Sequence, residues 1–383
     1  METIKENIIN VGVEDKDIDL FEAQYKVDGM LYNSYLILDD KVALLDSVDE
    51  RFASTWLDNI EKALNGRKID YLIVQHVEPD HSGSIAKFLE KHKDTTVVGN
   101  LKTLSYLSQF FPNTKFENTL VIADNSTLNL GHNELKFIFA PFIHWPEVFV
   151  TYLKEQKILF SADAFGKFGL SKDENDYIDE ARRYYIGIVG KYGLQVNTLL
   201  TKAATLDIDT ICSLHGPILR NNISLAISLY KKWATYQSED DDVLIAYASV
   251  YGHTKEACIK LKEELEALGK KVDLVDLAHD DFYKAISLAF KHKNLVLASI
   301  TYNATLFPKM SLYLDELLAR NFQNRKVAFI ENGTWAPTSG KNMKDRLVNA
   351  KNLTLVDKVV SVKSSINSNS LEAIKELAKS IAE

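Results

Sequence analysis

Two histidines and two carboxylates lie within six residues of one another early in the chain. They are His76, Glu78, Asp80 and His81. The apolar run 71–74 comes directly before them and predicts a strand, so we expect all four side chains on one loop at a strand end. Imidazole and carboxylate groups crowded in this way cost free energy unless a cation neutralises them. The cluster therefore indicates a metal site, with an ordinary polar turn as the alternative.

Three residues farther along have a similar setting. His144, Asp163 and His215 each lie at or shortly after the end of an apolar run that predicts a strand. Any one of them alone is a weak signal, because a single histidine more often packs in a core or lies at the surface. Together with the first cluster they predict a ligand set assembled from several strand ends.

The order and context of these residues resemble the metallo-β-lactamase fold over about residues 1–240. That fold carries the motif HxHxDH, followed by a histidine, an aspartate and a final histidine. Glu78 stands where the motif has its second histidine, and HxExDH is the pattern of the flavodiiron proteins. The departure agrees with the chemistry, because added carboxylates favour redox-active iron over zinc.

The resemblance implies two irons that share one carboxylate, Asp163. It assigns His76, Glu78 and His144 to one iron, and Asp80, His81 and His215 to the other. Whether His81 is a direct ligand stays open, because this position is a variable ligand in the family. Glu147 is expected to be a surface carboxylate. The alternative is that it contacts one of the metal ligands from behind.

A second group of residues lies on three loops in the last third of the chain. The first loop follows the apolar run 243–248 and contains Ser249, Val250, Tyr251, Gly252, His253 and Thr254. Hydroxyl and backbone N–H groups at a helix N-terminus form a phosphate cradle, although an ordinary capped helix start is the alternative. The second loop contributes Thr301, Tyr302, Asn303 and Ala304, and the third contributes Asn332, Gly333, Thr334 and Trp335. In this order the loops resemble flavodoxin over about residues 243–383, which implies FMN with Tyr302 and Trp335 placed to flank its ring.

The elements that must position these residues fall into two patterns. Residues 1–240 alternate short apolar runs with helical segments, and the resemblance implies a metallo-β-lactamase-like αββα sandwich that carries the diiron site. Residues 241–383 alternate strand and helix strictly, which predicts a flavodoxin-like, doubly wound parallel sheet that binds FMN. The chain is thus expected to be an α/β protein of two domains, joined at the acidic run 239–242, which we expect to be a solvated linker.

The composition excludes several classes of protein. The chain has 383 residues and a formal net charge of −8, so nothing supports nucleic-acid binding. No run of about 18 apolar residues predicts a membrane span, and the first residues have no apolar core of a secretion signal. The two cysteines, Cys212 and Cys258, exclude a disulfide scaffold and a cysteine-rich metal site. A cytoplasmic protein is expected.

Taken together, the chain resembles the two-domain core form of the flavodiiron proteins. That implies reduction of O2 to water, of NO to N2O, or of both, with electrons that pass through FMN to a non-haem diiron site. The sequence contains neither a CxxC pair of the rubredoxin type nor an NAD fingerprint, so a separate rubredoxin-like donor is expected. The family also implies a head-to-tail homodimer, which can itself pair into a dimer of dimers. The alternatives are a binuclear zinc hydrolase with a regulatory flavodoxin domain and an electron carrier with an inactive first domain.

Overall fold

The structure is a computed structural model that describes every residue from Met1 to Glu383. The chain divides into two units, Met1–Lys231 and Lys232–Glu383. The domain boundary after residue 240 remains a prediction, since this division lies inside the helix Ile223–Ala234. No helix combines the length and the apolar composition needed to cross a lipid bilayer.

The first unit is built on two sheets that face each other across a shared core. The strands of the first sheet, in sheet order, are Glu2–Lys5, Ile8–Asn10, Tyr35–Leu38, Val42–Leu45, Tyr71–Ile73, Thr96–Gly99 and Thr119–Val121. Those of the second are Thr127–Asn129, Glu134–Phe139, Phe149–Leu153, Ile158–Phe160 and Thr210–Cys212. Leu45 and Ile73 of the first sheet belong to the same buried cluster as Phe137 and Phe160 of the second. Two sheets packed on a common core are what the predicted αββα sandwich requires. The predicted fold of this unit is confirmed.

Two short hairpin pairs and a set of helices complete this unit. Val13–Asp15 pairs with Met30–Tyr32, and Leu20–Phe21 pairs with Tyr25–Lys26. The helices are Ala53–Leu64, Pro79–Ser82, Ile85–Lys91, Leu101–Phe110, Tyr177–Tyr184, Gly193–Ala203 and Ile223–Ala234. The helix Ala53–Leu64 shows why they form, because its buried residues recur at helical spacing and Asn65 ends it in the left-handed conformation, at φ +47°.

The second unit is a parallel sheet with helices between its strands. In sheet order its strands are Val272–Asp276, Asp240–Ala248, His292–Tyr302, Lys326–Asn332 and a last strand in two pieces, Thr354–Leu355 and Val360–Val362. The helices are His253–Ala267, Phe282–Lys291, Pro308–Ala319, Ser339–Leu347 and Ser368–Ala382. Numbered along the chain, the strand order is 2-1-3-4-5, the flavodoxin-type order. The predicted doubly wound parallel sheet is confirmed, and its ligand edge lies at the ends of strands 1, 3 and 4.

The acidic run 239–242 is not a solvated linker, so that prediction is wrong. The first strand of the sheet begins at Asp240 and pairs there with His292. The carboxylate of Asp240 lies 2.7 Å from Nδ1 of His292, and that of Asp241 pairs with Lys270. The charges of Asp240 and Asp241 therefore have partners later in the chain, which lets this acidic segment form the start of a strand.

Candidate functional site

The loop that carries the first ligand cluster is clamped by a buried carboxylate. Asp46 follows the strand Val42–Leu45 and accepts the backbone N–H groups of Gln75 and His76 at 2.7 and 3.2 Å. Burial raises the pKa of Asp46 to about 6, although these hydrogen bonds pull it down. One turn later, the carbonyl of His81 accepts hydrogen bonds from the N–H and hydroxyl groups of Ser47. The loop is thus fixed at both ends against the neighbouring strand.

The first group of donor atoms converges on one carboxylate oxygen. Nε2 of His76 and Nε2 of His144 each lie 3.3 Å from Oδ2 of Asp163. Oε2 of Glu78 lies 3.2 Å from the former nitrogen and 2.9 Å from the latter. The four potential ligand atoms are all within 4.8 Å of one another. This spacing suits a single metal ion held by two imidazoles and two carboxylates.

The second group lies on the other oxygen of the same carboxylate. Oδ1 of Asp163 lies 3.3 Å from Nε2 of His81 and 3.8 Å from Nε2 of His215. Oδ2 of Asp80 lies 3.2 and 3.3 Å from the same two nitrogens, which are themselves 3.0 Å apart. All seven predicted ligand residues are therefore brought together in two groups, and Asp163 presents one oxygen to each.

The histidines are oriented by groups behind them. Nδ1 of His76 donates to Oε1 of Glu147 at 2.8 Å, and Nδ1 of His215 donates to the carbonyl of Leu31 at 2.8 Å. A proton held on Nδ1 leaves Nε2 free as a ligand. Glu147 is fully buried, so the expectation that it lies at the surface is wrong.

The charge balance of the two groups indicates a cation. Both carboxylate oxygens of Asp80 and Oδ1 of Asp163 are buried and accept no hydrogen bond. Burial alone would lower the pKa of His144, but its hydrogen bonds to Asp163 and Glu78 raise it to about 9. Burial alone would raise the pKa of Asp163, but His76 and the other histidines hold it well below its usual range. Protons and metal ions compete for donors of this kind, so a bound cation would relieve the same imbalance.

The second unit has a cavity of about 260 Å³ at the predicted flavin loops. Residues of all three loops line it, namely Ser249, Val250, Tyr251, His253, Thr254, Thr301, Tyr302, Asn332, Gly333, Thr334 and Trp335. Two of its aromatic side chains are unusually exposed, Tyr251 at 90% and Trp335 at 82%. Large apolar rings left in solvent beside a cavity are typical of a binding surface.

One end of this cavity is suited to an anion. The hydroxyl oxygens of Ser249 and Thr254 are buried and have no hydrogen-bond partner. Thr254 lies in the first turn of the helix His253–Ala267, whose preceding residue, Gly252, has φ +90°. A helix N-terminus with unpaired hydroxyl donors beside it binds phosphate readily.

Three predicted flavin-loop residues lie outside the cavity lining. Gly252 makes the left-handed turn before the helix and faces no other atom within 4 Å of an added Cβ. Asn303 and Ala304 form the two-residue turn of a hairpin in which Tyr302 pairs with Thr305, and their φ values of +48° and +59° fit a type I′ turn.

Two further residues line the cavity, Ile300 and Ser364. Ile300 belongs to the third strand, next to Thr301, which was predicted to bind the flavin. Ser364 follows the last strand, Val360–Val362, and its residue type carried no signal. Only the strand order, which places the last strand beside the fourth, brings Ser364 to this edge of the sheet.

Comparison with known proteins places this geometry in a family. Residues 30–216 match the family model described as "ODP family beta lactamase". The chain is 30% identical over 387 aligned residues to an uncharacterized protein of Methanocaldococcus jannaschii. The alignment covers 99% of this chain and 98% of the relative. It is 26% identical to the anaerobic nitric oxide reductase flavorubredoxin of Escherichia coli, over 91% of this chain and 75% of that one.

A solved structure is similar over nearly the whole chain. The flavodiiron protein from Giardia intestinalis superposes with a TM-score of 0.93 at 26% sequence identity, and the match covers 99% of this chain and 95% of that one. The two groups of potential metal ligands in the first unit and the parallel sheet of the second both lie within this match. The likeness therefore extends over both units.

Proposed function

The chain belongs to the flavodiiron protein family, and on that premise we propose that it reduces O2, NO or both at a non-haem diiron site. The electrons would come from an external redox protein and pass through FMN. The observation that carries this proposal is the position of Asp163, whose two oxygens serve two separate groups of donors. A carboxylate placed in this way can serve as a ligand to both members of a metal pair.

The ligand roles that we propose follow from these two groups. His76, Glu78 and His144 would hold one iron, Asp80, His81 and His215 would hold the other, and Asp163 would bridge them. His81 is included as a direct ligand because its Nε2 lies as close to Asp163 as those of His76 and His144 do. Two carboxylates in the first group favour iron over zinc.

Bound iron and FMN would together supply the electrons for the reaction, up to four for the conversion of O2 to water. The chain's own residues set the conditions for this chemistry. Glu147 and the carbonyl of Leu31 hold protons on the outer nitrogens of His76 and His215. These contacts keep both imidazoles in the tautomer that ligates through Nε2.

The same proposal assigns FMN to the cavity of the second unit. Thr254 and Ser249 would bind its phosphate, because their buried hydroxyls have no partner in the protein. Tyr302 and Trp335 would contact the ring, since both line the cavity and remain exposed. The pocket thus offers polar groups at one end and aromatic surface at the other, as an amphipathic cofactor requires.

A direct test combines composition with transient kinetics. We expect about two irons and about one FMN per chain after expression with iron and zinc both supplied. The protein is then reduced without oxygen and mixed in a stopped-flow instrument with O2 and with NO, while flavin absorbance is followed. Rapid flavin reoxidation by at least one gas is expected. A chain that binds two zinc ions, holds no iron and hydrolyses an ester would contradict the proposal and favour the zinc hydrolase.

We further propose a rubredoxin-like donor and a head-to-tail homodimer in which the flavin of one chain serves the irons of its partner. The name flavorubredoxin, borne by the Escherichia coli relative, supports the donor class. The exposed aromatic rim at Tyr251 and Trp335 supports an interface there. A two-fold dimer would form two equivalent sites of this kind.

Complementation of two inactive variants tests the dimer. Asp163→Asn removes the bridging carboxylate and Thr254→Asp places a negative charge against the FMN phosphate, so each homodimer should be inactive. Heterodimers made by co-expression would pair one intact diiron site with one intact flavin across the interface and recover part of the activity. Purified heterodimers that stay inactive while the wild type works would show that transfer occurs within one chain.

A further inference from the structure

We propose that residues 363–365 form a fourth flavin-binding loop, in which the hydroxyl of Ser364 binds the phosphoribityl chain of FMN. The inference rests on the proposed function, because it assumes FMN in the cavity of the second unit. Ser364 follows the strand Val360–Val362 and lines that cavity together with the three predicted loops.

The backbone of Ser364 is held by a single side chain on both of its polar groups. Nδ2 of Asn332 donates to the carbonyl of Ser364 at 2.9 Å, and the N–H of Ser364 donates to Oδ1 of Asn332 at 3.1 Å. Asn332 is buried, so both ends of its amide are used inside the protein. Its side chain is therefore a positioning group for Ser364.

The conformation that Asn332 maintains is one that serine seldom adopts. Ser364 has φ +68°, in the left-handed region, where residues other than glycine and asparagine are disfavoured. Such a conformation persists only where neighbouring contacts determine it, and it is often found where a side chain must point at a ligand. The two hydrogen bonds between Asn332 and the backbone of Ser364 are those contacts.

The side chains of this segment reach both neighbouring flavin loops. Oγ of Ser364 lies 2.8 Å from Oγ1 of Thr334 on the third loop, and Oγ of Ser365 lies 3.4 Å from Nδ1 of His253 on the phosphate loop. Ser364 is thus placed between the ring end and the phosphate end of the cavity.

That position selects the part of FMN that Ser364 can bind. A hydroxyl has one donor and two acceptor sites, so the contact between Ser364 and Thr334 leaves capacity for a further polar group. The phosphoribityl chain offers hydroxyl and phosphate oxygens, whereas the ring of the flavin is expected between Tyr302 and Trp335. A serine between the two ends of the cavity therefore matches the chain that joins them.

The test measures flavin affinity in the full-length chain after its flavin has been removed. Three ligands are compared by fluorescence quenching: FMN, riboflavin, which lacks the phosphate, and lumiflavin, which lacks the whole phosphoribityl chain. Ser364→Gly removes the hydroxyl and adopts a positive φ without strain. We expect this variant to bind FMN about tenfold more weakly, the size of one lost hydrogen bond, with lumiflavin affinity unchanged.

Asn332→Ala tests the positioning role of the amide. It should weaken FMN binding to a similar extent, because Ser364 loses the contacts that hold its backbone. The double variant Asn332→Ala with Ser364→Gly should be no weaker than the weaker single variant, since both changes remove the same interaction. Riboflavin affinity shows which atoms are bound, because it falls together with FMN affinity when Ser364 binds the ribityl hydroxyls.

Two results would overturn this inference while leaving the proposed function intact. One is a Ser364→Gly chain that binds FMN as tightly as the wild type. The other is an equal loss for FMN and lumiflavin, which would indicate a general change of the cavity. A wild-type chain that binds none of the three flavins would instead overturn the FMN site itself, and the fourth loop with it.

Discussion

Nδ1 of His76 lies 2.8 Å from Oε1 of Glu147, and neither side chain is exposed to solvent. The same carboxylate oxygen accepts the backbone N–H of Val77 at 3.0 Å, and the carbonyl of Glu147 accepts the side-chain amide of Asn100 at 2.6 Å. Glu147 therefore joins the ligand loop to the segment that carries His144. One acidic side chain fixes both the tautomer of His76 and the relative positions of two ligands of one group.

Replacing Glu147 with glutamine should weaken metal binding at the group of His76. The amide keeps the shape of the carboxylate but loses its charge, so the proton on Nδ1 of His76 is held less strongly. We expect metal affinity at this group to fall about 10- to 100-fold, as for other partners of ligating histidines. Competition with a coloured chelator measures the affinity.

Glu117→Gln is the matched control, because Glu117 is exposed and distant in sequence from every proposed ligand. It should leave both metal affinities as they are in the wild type. If Glu147→Gln and Glu117→Gln behave alike, the contact between Glu147 and His76 does not tune the metal site.

Replacing Asp163 with asparagine should reduce the metal content of the chain. One of the two oxygens becomes an amide NH2 group, which cannot ligate, so only one of the two groups keeps its share of the side chain. We expect the content to fall from about two irons per chain to about one or fewer. Elemental analysis of the purified protein gives the number.

Asp40→Asn serves as the control for this change. Asp40 is exposed and belongs with Asp39 and His132 to a separate cluster of metal-type residues, which we do not expect to bind iron. Equal iron content in Asp163→Asn and in the wild type would exclude a bridging role for Asp163.

The residues of the proposed ligand set, which the fold brings together, could be found in the sequence because their signals are local. Each proposed ligand lies close to an apolar run, and strand ends that meet at one edge of a sheet bring such residues together. Glu147 lies before an apolar run and not after one, and its buried contact is with His76, 71 positions earlier in the chain, so no local signal marked it. The strand at 243–248 was predicted, but its start at Asp240 was missed because the partner of Asp240, His292, lies 52 positions later.

The short strands near the N-terminus show a second limit. Leu20–Phe21 and Tyr25–Lys26 have two residues each, too few for any alternation of apolar and polar residues to be recognised. Their role is still specific, since Phe21 packs edge-on against His215 with ring centroids 5.4 Å apart. Elements of this kind are determined by tertiary packing and leave no periodic pattern.

Replacing Thr254 with valine should have opposite effects on folding and on FMN binding. The hydroxyl of Thr254 is buried without a partner, so its removal should stabilise the flavin-free chain by up to about 1 kcal/mol. The same change should weaken FMN binding about tenfold, because a hydrogen bond to the phosphate is lost, while riboflavin binding stays the same. Thermal unfolding and fluorescence titration measure the two effects. Equal affinity of wild type and variant for FMN would show that the phosphate lies elsewhere.

His292 should make the second unit more stable at mildly acidic pH than at alkaline pH. Its two ring nitrogens each lie 2.7 Å from a carboxylate, of Asp240 and of Asp273. Burial by itself lowers the pKa of His292, but these two hydrogen bonds outweigh it and raise the pKa above its usual value. Burial by itself raises the pKa of Asp240, but the hydrogen bond and the charge attraction of His292, together with the contacts of Asp242 and Lys291, lower it overall. The pKa of Asp273 is lowered mainly by its hydrogen bond to His292.

The direction of the pH effect follows from these shifts. A raised histidine pKa contributes stability that is complete below about pH 6.5 and is lost as pH rises through the folded-state pKa. The lowered carboxylate pKa values contribute stability above about pH 4 that is lost on further acidification. His292→Asn should therefore lower the free energy of unfolding most between about pH 4 and 6.5. The loss there should be about 1–2 kcal/mol after allowance for the partial exposure of Asp273, and smaller at about pH 9.

His279→Asn is the control, because His279 is exposed and its pair with Asp276 lies at the surface. Unfolding followed by circular dichroism across this pH range measures both variants, and an effect of His292→Asn that does not change with pH would show that the histidine is neutral in the folded chain.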